Sequence, residues 1–205
     1  MMTATLNVAI YVYPEVEVLD FAGPYEVFTT ASRVHRKRVF PGTEPFKVFT
    51  VAREKGVVRA RAGLVVTPDF MMEENHPPVD VLIIPGGVVT AELAMPMVSE
   101  WIQRTATNTQ VTASVCTGAF LLAQAGLLDG KTATTHWEDV EEMHAMFPKV
   151  TVQEDRRWVD EGSIVTSAGI SAGMDMSLHL VERIAGKELA VWTARQMDYD
   201  WRDGE

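Results

Sequence analysis

The sequence predicts an α/β protein, a three-layer sandwich in which helices cover both faces of a mainly parallel sheet. Residues 7–13 form a nearly continuous apolar run, which is typical of a strand covered on both faces, and residues 80–84 and 110–115 are also interpreted as buried strands. Between these runs the hydrophobic spacing changes to the three-to-four residue repeat of helices. Because ligands of such sheets bind beyond the carboxyl ends of the strands, the loops at those ends are expected to carry the chemistry.

The first half of the chain alternates strands with helices. Pro14 stops the first strand, and Pro24 is acceptable in the first turn of the helix that follows. The predicted elements are, in order, strand 7–13, helix 23–34, strand 46–52, a hairpin at 57–67, strand 80–84, and short helices at 90–95 and 97–107. Strand 80–84 runs directly into Pro85, Gly86 and Gly87, which predicts a tight turn at its carboxyl end.

The second half continues the alternation. Its predicted elements are strand 110–115, helix 117–125 closed by Gly126, strand 132–135, helix 137–147, strand pieces 151–153, 157–160 and 163–167, and helices 170–185 and 189–197. Residues 160–163 suit a hairpin turn between the last two strand pieces. The polar tail, residues 198–205, is expected to be loose.

Length and composition fit one domain over residues 1–205, with an ordered core at about 5–197. The net charge of −10 argues against a nucleic-acid partner, and the basic cluster within residues 33–38 is interpreted as a solvated loop. No apolar stretch is long enough to span a membrane, and the amino terminus lacks a signal-type run. A lone cysteine and no targeting segment together suggest a reducing cytoplasm.

Cys116, the only cysteine, lies between a predicted strand and a predicted helix. It cannot form an internal disulfide, so it is either a small buried hydrophobe or a nucleophile. Unpaired N–H groups and the helix dipole at a helix start favour the thiolate. The position therefore favours a nucleophile, with a pKa expected below the value of about 8.5 of a free thiol.

Other candidate groups follow neighbouring strands, and each has a structural alternative. Gly86 and Gly87 could offer backbone N–H groups to a ligand or simply form a tight turn. Among the early carboxylates, Asp20 stands beside apolar neighbours and serves either the site or as a helix cap. His136 is either a base or a hydrogen-bonded structural residue, and its spacing to His144 is weak evidence for a metal.

Five segments together resemble the ThiJ/PfpI superfamily, which has the class I glutamine amidotransferase-like fold. They are residues 18–24 (VLDFAGP), 84–87 (IPGG), 114–119 (SVCTGA), 133–137 (ATTHW) and 166–175 (TSAGISAGMD). The segments lie between about residue 7 and residue 197, so the likeness covers almost the whole chain. The resemblance implies a flavodoxin-like three-layer sandwich with Cys116 at a strained nucleophile elbow.

Within that superfamily the pattern is similar to isocyanide (isonitrile) hydratases and equally to the amino-terminal ligand-binding halves of AraC-type regulators. The resemblance implies that Cys116 is the nucleophile, Asp20 its acidic partner and Thr117 an auxiliary residue. Backbone N–H groups of Gly87 and Thr117 would form an anion pocket. The substrate pocket is expected to involve Gly86, His136, Trp137, Ile170 and Met174. Protease-like members carry histidine after the cysteine, so Thr117 counts against peptidase activity.

The implied reaction converts an isocyanide and water into an N-substituted formamide, without a metal or an organic cofactor. The resemblance also implies a homodimer acting on a small molecule, with no nucleic-acid or membrane partner. Two alternatives stay open. One is a non-catalytic module that senses a metabolite or an oxidant through Cys116, and the other is a stress or amidase-type member of the superfamily.

Overall fold

The computed structural model describes residues 4–38 and 43–202. Its strands are β1 (Leu6–Tyr11), β2 (Phe46–Ala52), β3 (Val58–Arg59), β4 (Val65–Val66), β5 (Phe70–Met71), β6 (Val81–Ile84), β7 (Val111–Val115), β8 (Thr132–Ala133), β9 (Thr151–Val152), β10 (Trp158–Asp160) and β11 (Ile164–Ser167). Its helices are α1 (Val18–Arg38), α2 (Thr90–Leu93), α3 (Pro96–Ala106), α4 (Gly118–Gln124), α5 (Val140–Met146), α6 (Ala172–Ala185) and α7 (Lys187–Gln196). Short 3₁₀ turns occur at Arg61–Gly63 and Trp137–Asp139.

A seven-stranded sheet forms the centre of the fold, in the order β10-β11-β7-β6-β1-β2-β5. Its pairs are parallel except for β10 with β11. Helices α1, α6 and α7 pack on one another as one group, and α2, α3 and α4 form another. The predicted α/β architecture with a mainly parallel sheet is confirmed. The fully buried strands β6 and β7 are neighbours in the sheet, so the loops that follow them meet at one edge.

Helix α1 begins at Val18, five residues before the predicted start at residue 23. Pro24 is the seventh residue of α1, so the expectation that it lies in the first turn is wrong, and its missing N–H removes one helical hydrogen bond to the Asp20 carbonyl. Asp20 therefore lies in the first turn of α1, and the expectation that it precedes the helix is wrong. In this position the Asp20 side chain is fully buried.

Another boundary differs, and two interpretations of polar segments are wrong. Helix α6 starts at Ala172 rather than residue 170. The basic cluster lies on the last turns of α1 rather than in a loop, and Arg33 pairs with Glu26 there. The tail is packed over residues 198–202, since Trp201 lies against the core and the Arg202 N–H donates to Asp175 at 3.0 Å.

The ends of the predicted domain, residues 1–3 and 203–205, lie outside the described residues. The single-domain assignment stays a prediction. In the described part of the chain, no helix combines the length and the apolar character needed to cross a membrane.

Candidate active site

Cys116 occupies a strained corner between β7 and α4. Its φ is 57°, in the left-handed region that costs a residue with a side chain about 1–3 kcal/mol. Neighbouring segments hold it there: the Cys116 N–H donates to the Ser167 carbonyl at 3.0 Å, and the Thr135 hydroxyl donates to the Cys116 carbonyl at 3.0 Å. The chain therefore has the strand–cysteine–helix elbow that the sequence predicted.

Glycines allow the loops after β6 and β7 to touch. A Cβ on Gly86 would lie 2.6 Å from the Thr117 nitrogen and 2.8 Å from the Cys116 Cβ. A Cβ on Gly118 would overlap the carbonyl oxygen of Ile84, an atom of the backbone that cannot rotate away. Close contact at these two positions, rather than turn geometry alone, explains why glycine is required.

Replacing Gly118 by alanine is expected to lower the free energy of unfolding by about 3 kcal/mol, because the new methyl group meets the backbone of β6. Chemical denaturation measures this change. The matched control is Gly162→Ala, where the space is open and the φ of 83° alone costs about 1 kcal/mol. Equal losses for the two variants would show that the β6–β7 contact does not require glycine.

The Asp20 carboxyl group faces the cysteine. Its Oδ2 accepts from the Gly86 N–H at 3.0 Å, while its Oδ1 is buried without a hydrogen-bond partner among the described residues. The Cys116 thiol interacts with the same carboxyl group. Burial raises the pKa of Asp20 to about 7, against the opposing effect of the Gly86 N–H, and Glu17 adds to the rise.

The thiol itself does not behave as the sequence predicted. Burial, followed by the repulsion of the Asp20 carboxylate, raises the pKa of Cys116 to about 12. The Thr117 N–H favours the thiolate but is outweighed. The expectation of a thiol pKa below about 8.5 is therefore wrong. Cys116 is buried at the start of a helix of only seven residues, and this burial could not be predicted from the sequence.

Because Asp20 and Cys116 interact directly, they titrate as a pair. The fully protonated pair loses its first proton near neutrality, as the raised pKa of Asp20 indicates. The proton that remains resides either on the sulfur or on the carboxyl group. The tautomer with a protonated Asp20 holds a thiolate beside a proton donor, which is the form that a nucleophilic reaction requires.

We expect alkylation of Cys116 by iodoacetamide to accelerate as the pH rises through about 7, where the pair loses its first proton. Asp20→Asn should remove this step and leave one step at higher pH, since only the buried thiol then titrates. The chain has no other thiol, so the rate reports on Cys116 alone. A single wild-type step at about 8.5 would identify Cys116 as an ordinary free thiol and contradict the pairing.

Thr117 and Gly87 bond to each other. The Thr117 hydroxyl donates to the Gly87 carbonyl at 2.9 Å and accepts from the Gly87 N–H at 2.9 Å. An anion at this turn would have to displace that hydroxyl to reach the Gly87 N–H. The anion pocket formed by the N–H groups of Gly87 and Thr117 stays a prediction, and it requires Thr117 to turn away when a ligand binds.

His136 is held as a cap of the following 3₁₀ turn. Its Nδ1 accepts from the Glu138 N–H at 3.3 Å and lies 3.4 Å from Asp139. The ring also packs directly against Gly169, where a Cβ would overlap it. These contacts favour the hydrogen-bonded structural role over the role of a base, which sequence could not decide.

Trp137, one of the predicted pocket residues, lines a cavity. This cavity of about 430 Å³ is lined by Trp137, Val140, Arg157 and Gly169, among others, and Trp137 is 76% exposed. Eight predicted site residues do not line this cavity: Asp20, Gly86, Gly87, Cys116, Thr117, His136, Ile170 and Met174. Met174 instead packs against Gly23 of α1. Within the part of the chain that the structure describes, no group of three His, Cys, Asp or Glu side chains could hold a metal ion.

The sheet, the elbow and the buried acid define an α/β protein with a cysteine–carboxylate pair. The model of the DJ-1/PfpI family matches residues 6–183, and the chain belongs to this family. An isonitrile hydratase of Pseudomonas putida is 31% identical over 196 residues, which cover 95% of this chain and 78% of that protein. The resemblance found in the sequence is therefore confirmed.

Other relatives are regulators. The HTH-type transcriptional regulator GbdR of Pseudomonas aeruginosa is 33% identical over 179 residues, covering 86% of this chain and 48% of that protein. The chain thus spans about half the length of this regulator. Among solved structures, a ThiJ/PfpI family protein from Pseudomonas syringae has a TM-score of 0.83 at 25% identity, covering 100% of this chain and 79% of that chain.

Proposed function

We propose that this protein is a cysteine-dependent hydratase that converts isocyanides and water into N-substituted formamides. The observation that carries the proposal is the buried Asp20 carboxyl group beside Cys116 at a strained elbow, with Thr117 adjacent. The likeness to an isonitrile hydratase over 95% of the chain supports the same chemistry.

In the proposed reaction the Cys116 sulfur attacks the terminal carbon of the isocyanide, and a C–S bond forms. Asp20 delivers the proton of the pair to that carbon, which gives a thioimidate and leaves Asp20 ionised. Water then adds to the thioimidate carbon, with one of its protons going to the nitrogen and the other returning to the pair. Collapse breaks the C–S bond and releases the formamide, so that one isocyanide and one water make one product.

The raised pKa of Asp20 supports this assignment. An ordinary aspartate is fully ionised at pH 7 and has no proton to deliver, whereas a carboxyl group with a pKa of about 7 exchanges protons there. The unpartnered Oδ1 leaves one oxygen of Asp20 available for the transferred proton. We extend the proposal to the cytoplasm, since a lone thiol that must stay reduced suits a reducing compartment. The resemblance to the ThiJ/PfpI superfamily further suggests a homodimer.

A substrate screen tests the proposal. Wild-type protein is incubated with an aromatic isocyanide, an amide and a 2-oxoaldehyde in the presence of a chelator, and products are followed by NMR. We expect the isocyanide to be converted into the formamide, with no comparable turnover of the amide or the 2-oxoaldehyde. Turnover of the amide or the oxoaldehyde in place of the isocyanide would reject it.

A second candidate is a sensing module, favoured by the 33% identity to a transcriptional regulator. In that case Cys116 would react or bind once without turnover. Isocyanides would then stay unconsumed under conditions in which mild peroxide readily oxidises Cys116. This comparison distinguishes the two candidates, because both need the same thiol and only one regenerates it.

A further inference from the structure

We propose that Tyr13 and Glu92 are positioning residues that hold the two ends of the turn between β6 and α2. Through this turn they would fix the Gly86 N–H toward Asp20 and the Gly87 N–H toward Thr117. The inference rests on the proposed role of the cysteine–carboxylate pair, but its test needs no substrate.

The start of the turn is held by Tyr13. This side chain is 1% exposed, and its hydroxyl donates to the Pro85 carbonyl at 3.1 Å. Pro85 directly precedes Gly86, so the hydrogen bond fixes the peptide plane whose N–H points at Asp20. Burial, and then the nearby Asp20 and Cys116, raise the pKa of Tyr13 well above its usual value, so the hydroxyl stays protonated and donates.

The far end of the turn is held by Glu92. Helix α2 is only four residues long, too short to be stable without tertiary contacts. Its Glu92 is 2% exposed, accepts from Arg53 at 2.6 Å and accepts from the Tyr11 hydroxyl. A buried carboxylate with two such partners fixes the helix relative to β1 and to the residues after β2.

Tyr13 and Glu92 are connected through the side chain of Tyr11. The Tyr11 ring stacks on the Tyr13 ring at a centroid distance of 5.5 Å, and Trp101 contacts the same ring of Tyr11. Glu92 therefore holds Tyr11, which in turn supports Tyr13. Neither Tyr13 nor Glu92 takes part in the proposed reaction, yet Tyr13 contacts the segment whose Gly86 N–H donates to Asp20, and Glu92 lies in the helix that follows it.

Loosening the turn should raise the pKa of Asp20, because the Gly86 N–H is the main group that lowers it. The other charged or titratable groups that act on Asp20 are Glu17, Arg61, Cys116 and Tyr13. Without the N–H the carboxyl group gives up its proton at higher pH, since a lost hydrogen bond to a carboxylate raises its pKa.

The experiment is the pH profile of Cys116 alkylation by iodoacetamide in the full chain. Tyr13→Phe and Glu92→Gln should each shift the step near neutrality upward by about one pH unit. The double variant should shift it no further than the larger single change, because both act through one turn. Two controls should leave the step unchanged: Tyr25→Phe on the exposed face of α1, and Asp160→Asn in the ion-pair network with His179 and Arg183.

Folded Tyr13→Phe protein with the wild-type profile would overturn the proposal, as would equal shifts in the controls. Tyr13→Phe removes one hydroxyl and keeps the ring, so it decides the matter even where Glu92→Gln fails to fold. A shifted profile in a protein that does not hydrate isocyanides would support this inference and reject the proposed function.

Discussion

Replacing Cys116 by alanine is expected to abolish isocyanide hydration, a loss of at least about 10⁴-fold in kcat. The chain has no second thiol that could form the thioimidate. The rate of formamide production measures the effect. Alanine keeps the small size of the side chain at the strained corner, so the variant should fold.

The control for this variant is its thermal unfolding, which should stay close to that of the wild type. A folded Cys116→Ala protein that keeps a tenth or more of the activity would place the reaction elsewhere. If Cys116→Ala loses both its activity and its fold, Cys116→Ser becomes the deciding variant, since serine carries a hydroxyl of similar size in place of the thiol and is a much weaker nucleophile.

Replacing Asp20 by asparagine is expected to lower kcat by about 10²–10⁴-fold, because the amide is too weak an acid to deliver a proton to the isocyanide carbon. The amide oxygen can still accept from the Gly86 N–H, so the turn should persist. Steady-state kinetics measure the effect. The matched control is Glu17→Gln, a neighbouring and more exposed carboxylate paired with Arg61, which should retain most of the activity.

The Asp20→Asn variant should be more stable than the wild type at pH 8. The pKa of Asp20 is raised in the folded state, so its ionisation costs stability as the pH rises from about 4 through about 7. Asparagine removes this cost above pH 7, and the gain should shrink toward pH 4, where the carboxyl group is protonated in the folded protein. Lower activity with a gain at pH 8 would separate catalysis from folding, whereas lost stability at pH 8 would contradict a buried, ionising Asp20.

The sheet and the elbow could be predicted from the sequence because both follow from local pattern. The run that became β6 is continuous and apolar, and Cys116 directly follows the buried strand β7. Asp20 and Thr117 were identified from motif resemblance, and the structure places both at the cysteine.

What sequence could not provide depends on depth and on long-range contacts. The pKa of Cys116 is set by burial, which the pattern around one cysteine does not measure. His136 is fixed by packing against Gly169, which is distant in sequence. Tyr13 and Glu92 lay within ordinary strand and helix predictions, and only the fold shows that their side chains hold the turn beside the acid.

The most direct test of the central claim is hydration in water enriched in ¹⁸O, with chelator present and an aromatic isocyanide in large excess over protein. We expect many formamide molecules per protein chain, each carrying one ¹⁸O in its carbonyl group. An isocyanide that remains unconsumed while Cys116 stays reduced and open to alkylation would contradict it.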